Sequence, residues 1–319
     1  MSSLLNVNNL KTYFHTSAGL YKAVDGVSFE IEKGTTLGLV GESGCGKSVT
    51  ALSIMRLIDE PGRIEGGEIL FNGQDLTKFT DKEMQKIRGD RISMIFQEPM
   101  TSLNPVYRCG YQISEAILAH RKVTKDEAKK SAIELMNYAG IPSAEQRYSE
   151  YPHQLSGGLR QRVMIAMALA CDPDILIADE PTTALDVTTQ IQIIDLLKKL
   201  QQELGMAVLI ITHDFGVIAD IAQKVAVMYA SKVVEVADAD EIFKNPKHPY
   251  TIGLLKSLPQ FGKRKEKLPV IKGSVPSPLE YPVGCHFCTR CELADEKCVT
   301  DEPPLIEISL EHKAACWMI

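Results

Sequence analysis

The chain has 319 residues, enough for one large domain or two modest ones, and its 45% hydrophobic and 24% charged residues are ordinary for a soluble globular protein. Its net charge of −6 gives no reason to expect nucleic acid as the main partner. No apolar run approaches the ~18 residues that can span a membrane, and residues 1–14 lack the basic start and long apolar core of a signal peptide, so we expect a cytosolic protein.

The apolar periodicity predicts an α/β fold. Residues 4–40 alternate apolar and polar positions in short runs, which predicts antiparallel strands joined by a loop at 15–19. Further strands are expected over residues 35–40, 66–73, 91–97, 174–178 and 206–212, and helices over 49–57, 114–139, within 151–170 and over 188–204. Strands that alternate with helices imply a parallel sheet covered on both faces.

The composition changes near Asn245, where proline and lysine become frequent and helical signals weaken. We therefore place a domain boundary at about 240–260, between residues 1–245 and a tail of residues 246–319. A tail of that size can hardly build its own core, so it needs another means of stabilisation.

Residues 41–48, GESGCGKS, fit the phosphate-loop pattern G-x-x-x-x-G-K-[ST] and lie between an apolar strand and a helical segment. Glycines let the backbone wrap an anion, and the start of the helix adds a partial positive charge. Lys47 would reach the β- and γ-phosphates of ATP, and Ser48 would ligate Mg²⁺. The alternative, a glycine-rich turn that matches by chance, is disfavoured by this context. The predicted nucleotide-binding residues here are Gly41, Ser43, Gly44, Cys45, Gly46, Lys47, Ser48 and Val49.

Two acids, Asp179 and Glu180, follow the apolar strand DILIA. Ligands bind outside the carboxyl ends of strands in open α/β sheets, so we expect these acids beside the phosphate loop. Asp179 would hold Mg²⁺ through water, and Glu180 would accept a proton from the attacking water. An acidic turn at a strand end is the simpler alternative.

Leu155-Ser156-Gly157-Gly158 predicts a second anion site. Ser156 is placed to cap a helix, and the two glycines expose its N-terminal amides. One chain cannot easily fold both anion sites onto one phosphate. A flexible cap at an ordinary helix start is the alternative interpretation.

With this LSGG segment the chain resembles the ATP-binding cassette (ABC) ATPases. The resemblance implies that Ser156, Gly157 and Gly158 close over ATP held by a second subunit, in a head-to-tail dimer. It also implies that Gln97 senses the γ-phosphate through Mg²⁺ or water, that Asp186 contacts the partner across the dimer, and that His213 contacts the γ-phosphate. Tyr13 and Phe14 fit the aromatic residue that stacks on adenine almost equally well, and Tyr21 is a further candidate; the alternative for each is an ordinary strand aromatic.

Five of the eight cysteines lie between 285 and 316, at positions 285, 288, 291, 298 and 316. In a reducing compartment, clustered cysteines indicate metal more often than disulfides. An iron–sulfur cluster is favoured by four or more thiols and by a C-x2-C-x2-C run. A zinc site, which could include His286 or His312, and disulfides or free thiols are the alternatives.

The whole chain resembles one ABC subgroup, the ATPase subunits of dipeptide, oligopeptide and nickel importers. The segments ESGCGKS, FQEPMTSLNP, YPHQLSGGLRQR and NPKHPYT (245–251) support this resemblance. We expect the last of them to be an irregular docking segment, because it contains two prolines. The subgroup pattern implies Cys285, Cys291, Cys298 and Cys316 as ligands of a [4Fe–4S] cluster and leaves Cys288 spare. Such a cluster would stabilise a small domain rather than transfer electrons.

The resemblance implies an α/β P-loop ATPase of ABC type, with a mixed or parallel core sheet, an antiparallel β-subdomain, a helical subdomain at about 100–170 and a small cysteine-rich C-terminal domain. It implies ATP- and Mg²⁺-dependent import of dipeptides or oligopeptides at the cytoplasmic face of the membrane. The implied partners are a permease, a second ATPase subunit (a paralogue or a second copy) and, indirectly, an extracytoplasmic binding protein. The alternatives are nickel import, a soluble ABC ATPase, and a redox or metal-sensing regulator.

Overall fold

The computed structural model describes residues 3–98, 102–258 and 269–319. It forms two compact units, the first from Met1–Glu30, Leu37–Thr77 and Thr212–Ile319 and the second from Ile31–Thr36 and Lys78–Ile211. The expected start of the helical subdomain near 100, and residues 99–101 of FQEPMTSLNP, lie outside the described residues.

The β-strands follow one another in this order: β1 (Ser3–Thr16), β2 (Gly19–Glu32), β3 (Thr36–Val40), β4 (Gly62–Phe71), β5 (Gln74–Asp75), β6 (Ile92–Ile95), β7 (Ile175–Asp179), β8 (Ala207–Thr212), β9 (Lys224–Tyr229), β10 (Lys232–Asp238), β11 (Ile306–Ser309) and β12 (His312–Ala314). The strands predicted from apolar runs are all observed, with ends shifted by a few residues. β7 and β8 are buried at every position, as expected for strands covered on both faces.

The α-helices whose bounds lie within the described residues are α1 (Lys47–Met55), α2 (Asp81–Ile87), α3 (Cys109–His120), α4 (Lys125–Tyr138), α5 (Ala144–Arg147), α6 (Gly157–Ala168), α7 (Val187–Leu204), α8 (Phe215–Ile221), α9 (Ala239–Lys244), α10 (Pro249–Ser257) and α11 (Glu296–Thr300). The helical stretch predicted over 114–139 is two helices. It breaks before Thr124, whose side chain caps α4 by accepting a hydrogen bond from the Glu127 amide.

The first unit contains two sheets. One is antiparallel, with the order β2-β1-β4-β5; in the other, β11, β12, β10, β9 and β3 lie side by side in that order. β3 is parallel to β9, whereas β10 is antiparallel to both β9 and β12. The tail strands β11 and β12 are therefore part of this sheet. Strand pairing stabilises the tail in addition to any stabilisation by the cysteines.

In the second unit, β8, β7 and β6 form a parallel arrangement. The helices α3, α4 and α6 of this unit lie within the predicted helical subdomain. None of the helices in the described residues combines the length and the apolar character needed to cross a membrane.

The segment at 245–251 differs from the prediction of an irregular segment, which is wrong for its second half. Pro249 is the first residue of α10, where its missing N–H costs no helical hydrogen bond. The His248 side chain caps this helix by accepting a hydrogen bond from the Tyr250 amide through Nδ1, at 3.1 Å. A proline at this position starts the helix instead of preventing it.

Candidate functional site

The loop at 41–48 has the backbone that phosphate binding requires. Gly41 and Gly46 adopt φ values of 156° and 106°, which side-chain-bearing residues rarely reach. A Cβ atom on Gly41 would lie 2.1 Å from the Met228 carbonyl oxygen, and one on Gly46 would lie 2.2 Å from that of Ala23. Glycine is therefore required at both positions, and α1 begins at Lys47, directly after the loop.

Lys47 lies inside this loop, with 5% of its surface exposed. Its Nζ donates hydrogen bonds to the carbonyl oxygens of Gly41, at 2.8 Å, and Glu42, at 3.0 Å. Burial raises the pKa of the Cys45 thiol, while the nearby Lys47 ammonium acts in the opposite direction. The loop thus holds one cation among backbone groups, an arrangement suited to a phosphate chain.

In the second unit, the structure brings Gln97 and Glu180 together. Asp179 ends β7 and is buried, and Glu180 follows it with φ +44°. One oxygen of the Glu180 carboxylate, Oε2, accepts hydrogen bonds from Gln97 Nε2 at 3.0 Å and from Thr183 Oγ1 at 2.8 Å. A carboxylate oriented in this way is suited to accept a proton from water.

Two further predicted residues of the second unit are helix caps. The Ser156 hydroxyl accepts a hydrogen bond from the Leu159 amide at 3.4 Å, at the start of α6. Asp186 caps α7 by accepting hydrogen bonds from the amide and hydroxyl of Thr189, and these bonds lower the pKa of Asp186. The predicted cap at Ser156 is confirmed; the contacts of both segments with a second subunit stay a prediction.

The remaining predicted nucleotide contacts lie in the first unit. His213 is exposed directly after β8. The Tyr13 hydroxyl donates a hydrogen bond to Asp25 Oδ1 at 2.5 Å, and burial together with this bond raises the pKa of Tyr13. The Phe14 ring meets the Tyr21 ring edge-on, with centroids 6.0 Å apart. Adenine stacking by either aromatic stays a prediction.

The five tail cysteines line one pocket, together with His248, Pro249, Phe287, Pro303, Trp317 and Met318. Burial raises the pKa of the Cys285 thiol to about 12, and it also raises the pKa values of Cys288, Cys298 and Cys316. All eight cysteines lie in the described ranges, and none of them forms a disulfide there. In the described part of the chain, no three His, Cys, Asp or Glu side chains are arranged to hold a metal ion.

The two histidines considered as zinc ligands have other partners. His286 Nδ1 lies 2.6 Å from the Ala230 carbonyl oxygen, and His312 Nε2 lies 2.8 Å from Glu235 Oε1. Neither histidine lines the cysteine pocket. The donors gathered there are thiols, which suit an iron–sulfur cluster or a four-cysteine zinc site.

Sequence reasoning missed two contacts between the tail and the phosphate loop. The Glu42 amide donates a hydrogen bond to the Tyr250 hydroxyl at 3.0 Å, and the Glu42 carboxylate pairs with Arg290. Tyr250 lies in the HPY segment that the sequence analysis noted, and Arg290 is the residue before Cys291. Nothing in the sequence pattern pointed to the loop as their partner.

Comparison with known proteins agrees with this geometry. The family model "ABC transporter" matches residues 24–183, and the model "Oligopeptide/dipeptide transporter, C-terminal region" matches residues 234–298. Among curated relatives, the oligopeptide transport ATP-binding protein AppD of Bacillus subtilis is 52% identical, covering 100% of this chain and 97% of its own. The dipeptide transport ATP-binding protein DppD of Escherichia coli is 49% identical, covering 98% and 96% respectively.

Solved structures of ATP-binding cassettes are also similar to this chain. The dimeric, post-hydrolysis structure of the ATP-binding cassette MJ0796 bound to ADP and Pi is 29% identical, with a TM-score of 0.67 over 74% of this chain and 98% of that one. The structure of cbiO1 from Clostridium perfringens, part of the ABC transporter complex cbiONQ, is 28% identical, with a TM-score of 0.66 over 77% and 92%. The chain therefore belongs to the ATP-hydrolysing subunits of ABC transporters, with a C-terminal region of the oligopeptide/dipeptide transporter type.

Proposed function

We propose that this ATPase powers the import of dipeptides or oligopeptides through a membrane permease. The observation that carries the cargo assignment is full-length identity of about one half to relatives named for oligopeptide and dipeptide transport. The alignment with AppD covers the tail, and residues 234–298 match the C-terminal region of oligopeptide/dipeptide transporters. Nickel import by the same type of motor is the second candidate, because an ATPase subunit does not itself contact the cargo.

The phosphate loop and Lys47 would bind the ATP phosphates, and Ser48 and Gln97 would ligate Mg²⁺ with Asp179 acting through water. Glu180 would take the proton of the water that attacks the γ-phosphorus, and Lys47 and His213 would stabilise the charge that develops there. The buried Lys47 ammonium supports the role of the loop in phosphate binding. The hydrogen bonds from Gln97 and Thr183 to Glu180 support the role of Glu180 as the base.

The working unit in this proposal is a head-to-tail dimer of ATPase subunits, either two copies or this chain with a paralogue. Ser156, Gly157, Gly158 and Asp186 would face the partner subunit, and the region around Gln97 and the helical subdomain would dock on the permease at the cytoplasmic face of the membrane. The dimeric structure of the related MJ0796 cassette supports this arrangement. An extracytoplasmic binding protein would deliver the cargo.

We also propose that Cys285, Cys291, Cys298 and Cys316 hold a [4Fe–4S] cluster, with zinc as the alternative. The support is chemical: these four thiols line one pocket, none of them is in a disulfide, and thiols are the ligands that such a cluster takes. The cluster would stabilise the fold of residues 269–319. The domain boundary at 245/246 belongs to the same proposal.

The cluster is tested by an absorbance spectrum with iron and zinc analysis on anaerobically purified chain. A broad brown band with about four irons per chain supports the cluster. A colourless protein with about one zinc makes the tail a zinc site and leaves the ATPase assignment unchanged. A protein with neither metal contradicts both.

The transport function is tested in vesicles that contain the chain, its permease and its second ATPase subunit. We expect ATP hydrolysis to rise when binding protein loaded with a dipeptide or oligopeptide is added, and a Lys47→Ala chain to abolish the response. Stimulation by nickel but not by peptide would replace the cargo assignment. Hydrolysis that is indifferent to the permease and to both cargoes would indicate a soluble ATPase instead.

A further inference from the structure

The carboxylate of Glu42, the second residue of the phosphate loop, is held by an arginine from the cysteine segment. Glu42 Oε2 lies 2.7 Å from Arg290 Nη1, and Glu42 Oε1 lies 3.1 Å from Arg290 Nη2, so the pair is bidentate. The Arg290 side chain is only 5% exposed and that of Glu42 28%. An ion pair with this shielding is screened by solvent far less than a surface pair.

The backbone of the same residue is held by a second tail residue. The Glu42 amide donates to the Tyr250 hydroxyl at 3.0 Å, and Tyr250 is fully buried in the first turn of α10. The Tyr250 ring lies 4.6 Å from that of Tyr229 and 5.4 Å from that of Phe287, between centroids. Arg290 Nη1 also donates to the Tyr229 hydroxyl at 3.4 Å. One cluster of four residues thus lies around Glu42, and we call it the Glu42 clamp. It consists of Tyr229, Tyr250, Phe287 and Arg290.

The clamp acts on the part of the loop that positions the catalytic cation. The Glu42 carbonyl oxygen accepts a hydrogen bond from Lys47 Nζ at 3.0 Å. A displacement of Glu42 therefore changes both the loop backbone and the position of Lys47. Misplacement of a phosphate-binding group by about 1 Å is enough to weaken binding or slow the reaction strongly.

The clamp is also part of the cysteine segment. Arg290 directly precedes Cys291, and its amide donates to the Phe287 carbonyl oxygen at 2.9 Å, in the turn that starts at Cys285. Arg290 Nε donates to the Lys272 carbonyl oxygen at 3.1 Å. The position of the guanidinium group is consequently fixed by the fold of the 285–291 segment.

We propose that Arg290 is a positioning residue for the phosphate loop, through which the 285–291 segment sets the affinity of the loop for nucleotide. This inference rests on the proposed role of the loop in binding ATP. In this proposal Arg290 acts on the nucleotide through Glu42 and not by direct contact.

The test is equilibrium binding of a fluorescent ATP analogue to full-length chain carrying Arg290→Met. We expect Kd to rise about 10-fold, within the 5–150-fold range that is typical of coupling between sites. The KM for ATP should rise by a similar factor, and kcat should also fall, because displacement of Glu42 moves Lys47, the group proposed to stabilise the charge of the transition state.

Two comparisons make the result specific. Lys272→Met removes a charged side chain from the tail but keeps the Lys272 carbonyl oxygen that Arg290 Nε contacts. The partner of the Lys272 ammonium, Glu292, is 3.9 Å away in a pair 90% and 85% exposed, so this variant should leave Kd unchanged. The double variant Glu42→Gln/Arg290→Met should bind more tightly than Arg290→Met alone, because it removes the carboxylate left without its cation. A protein in which Arg290 serves only general stability would show no such rescue.

The outcomes separate this inference from the proposed function. Unchanged Kd for Arg290→Met, with binding lost in Lys47→Ala, would overturn the role of Arg290 and leave the loop assignment intact. Unchanged binding in Lys47→Ala would overturn the loop assignment itself. If Arg290→Met fails to fold, Arg290→Lys keeps one charge but cannot form the bidentate pair, and an affinity equal to that of the unaltered chain would refute the proposal.

Discussion

Replacement of Glu235 should detach the tail from the sheet, because its carboxylate is the buried acceptor on which three donors meet. Glu235 lies on β10 and is completely buried. It accepts hydrogen bonds from the amides of Lys247, at 2.6 Å, and His248, at 3.0 Å, and from His312 Nε2, at 2.8 Å. One side chain thus joins β10 to the start of α10 and to β12.

The expected cost follows from the stranded donors. A buried donor that loses its acceptor costs about 1–3 kcal/mol, so Glu235→Ala, which strands three, should lose about 4 kcal/mol after partial relaxation. Glu235→Gln keeps one carbonyl oxygen as an acceptor but places an NH2 group against one of the donors. Its free energy of unfolding should therefore fall by about 2 kcal/mol. Against a typical total stability of 5–15 kcal/mol, the first loss is enough to unfold the tail on mild heating.

The single tryptophan makes the assay specific for the tail. Trp317 donates through Nε1 to the Asp301 carbonyl oxygen at 3.0 Å, so its fluorescence reports on residues 269–319, whereas circular dichroism reports on the whole chain. We follow denaturant unfolding with both probes. Glu235→Ala should lower the midpoint denaturant concentration of the fluorescence transition more than that of the circular dichroism transition. The matched control is Glu241→Ala, at an exposed position nearby, expected to change stability by no more than about 0.5 kcal/mol. If Glu235→Ala and Glu241→Ala unfold at the same denaturant concentration, the hydrogen-bond reasoning is refuted.

Three further predictions concern the reaction, the cluster and pH. Glu180→Gln should retain ATP binding and accumulate a closed dimer while hydrolysis falls by about 100-fold or more; undiminished turnover would exclude Glu180 as the base. Cys316→Ser should lose the iron and the colour of the chain, whereas Cys288→Ser should keep them; full iron content in the first variant would rule out Cys316 as a ligand. Burial lowers the pKa of His248 to about 3, and an unfolded histidine titrates near 6.5. Between these pH values only the unfolded chain takes up this proton, so stability should fall as pH drops below about 6.5, by up to roughly 1.4 kcal/mol per pH unit. His248→Asn should reduce that slope in pH-dependent unfolding, and an unchanged slope would contradict the assignment.

The parts of the fold that sequence predicted are those whose signals are local. β7 and β8 are continuous apolar runs, and the phosphate loop is a contiguous motif between a strand and a helix. The strands β11 and β12 gave no such signal. They have four and three residues, and β12 is held in place by pairing with β10 some 80 positions earlier along the chain. Tertiary pairing, not propensity, determines their structure.

The residues of the site likewise fall into those that the sequence predicted and those that only the fold reveals. The pattern of residues suggested Lys47, Asp179 and Glu180, and the resemblance added Gln97, which the structure places 3.0 Å from the Glu180 carboxylate. The pair between Glu42 and Arg290 joins residues 248 positions apart. A single sequence contains no periodicity or spacing that could reveal such a pair, because both residues look like ordinary surface charges until the chain is folded.

The HPY segment shows why a short motif can be noticed in a sequence and still be misinterpreted. Its three residues have three separate tasks: His248 caps α10, Pro249 occupies a position that needs no N–H, and Tyr250 fills the space between Tyr229 and Phe287. Phenylalanine would fill that space equally well, so the tyrosine hydroxyl must be explained by its partner, the Glu42 amide. A motif that only attached the tail would have no need of that hydroxyl. Its presence therefore favours a tail that helps to shape the phosphate loop over one that is merely anchored beside it.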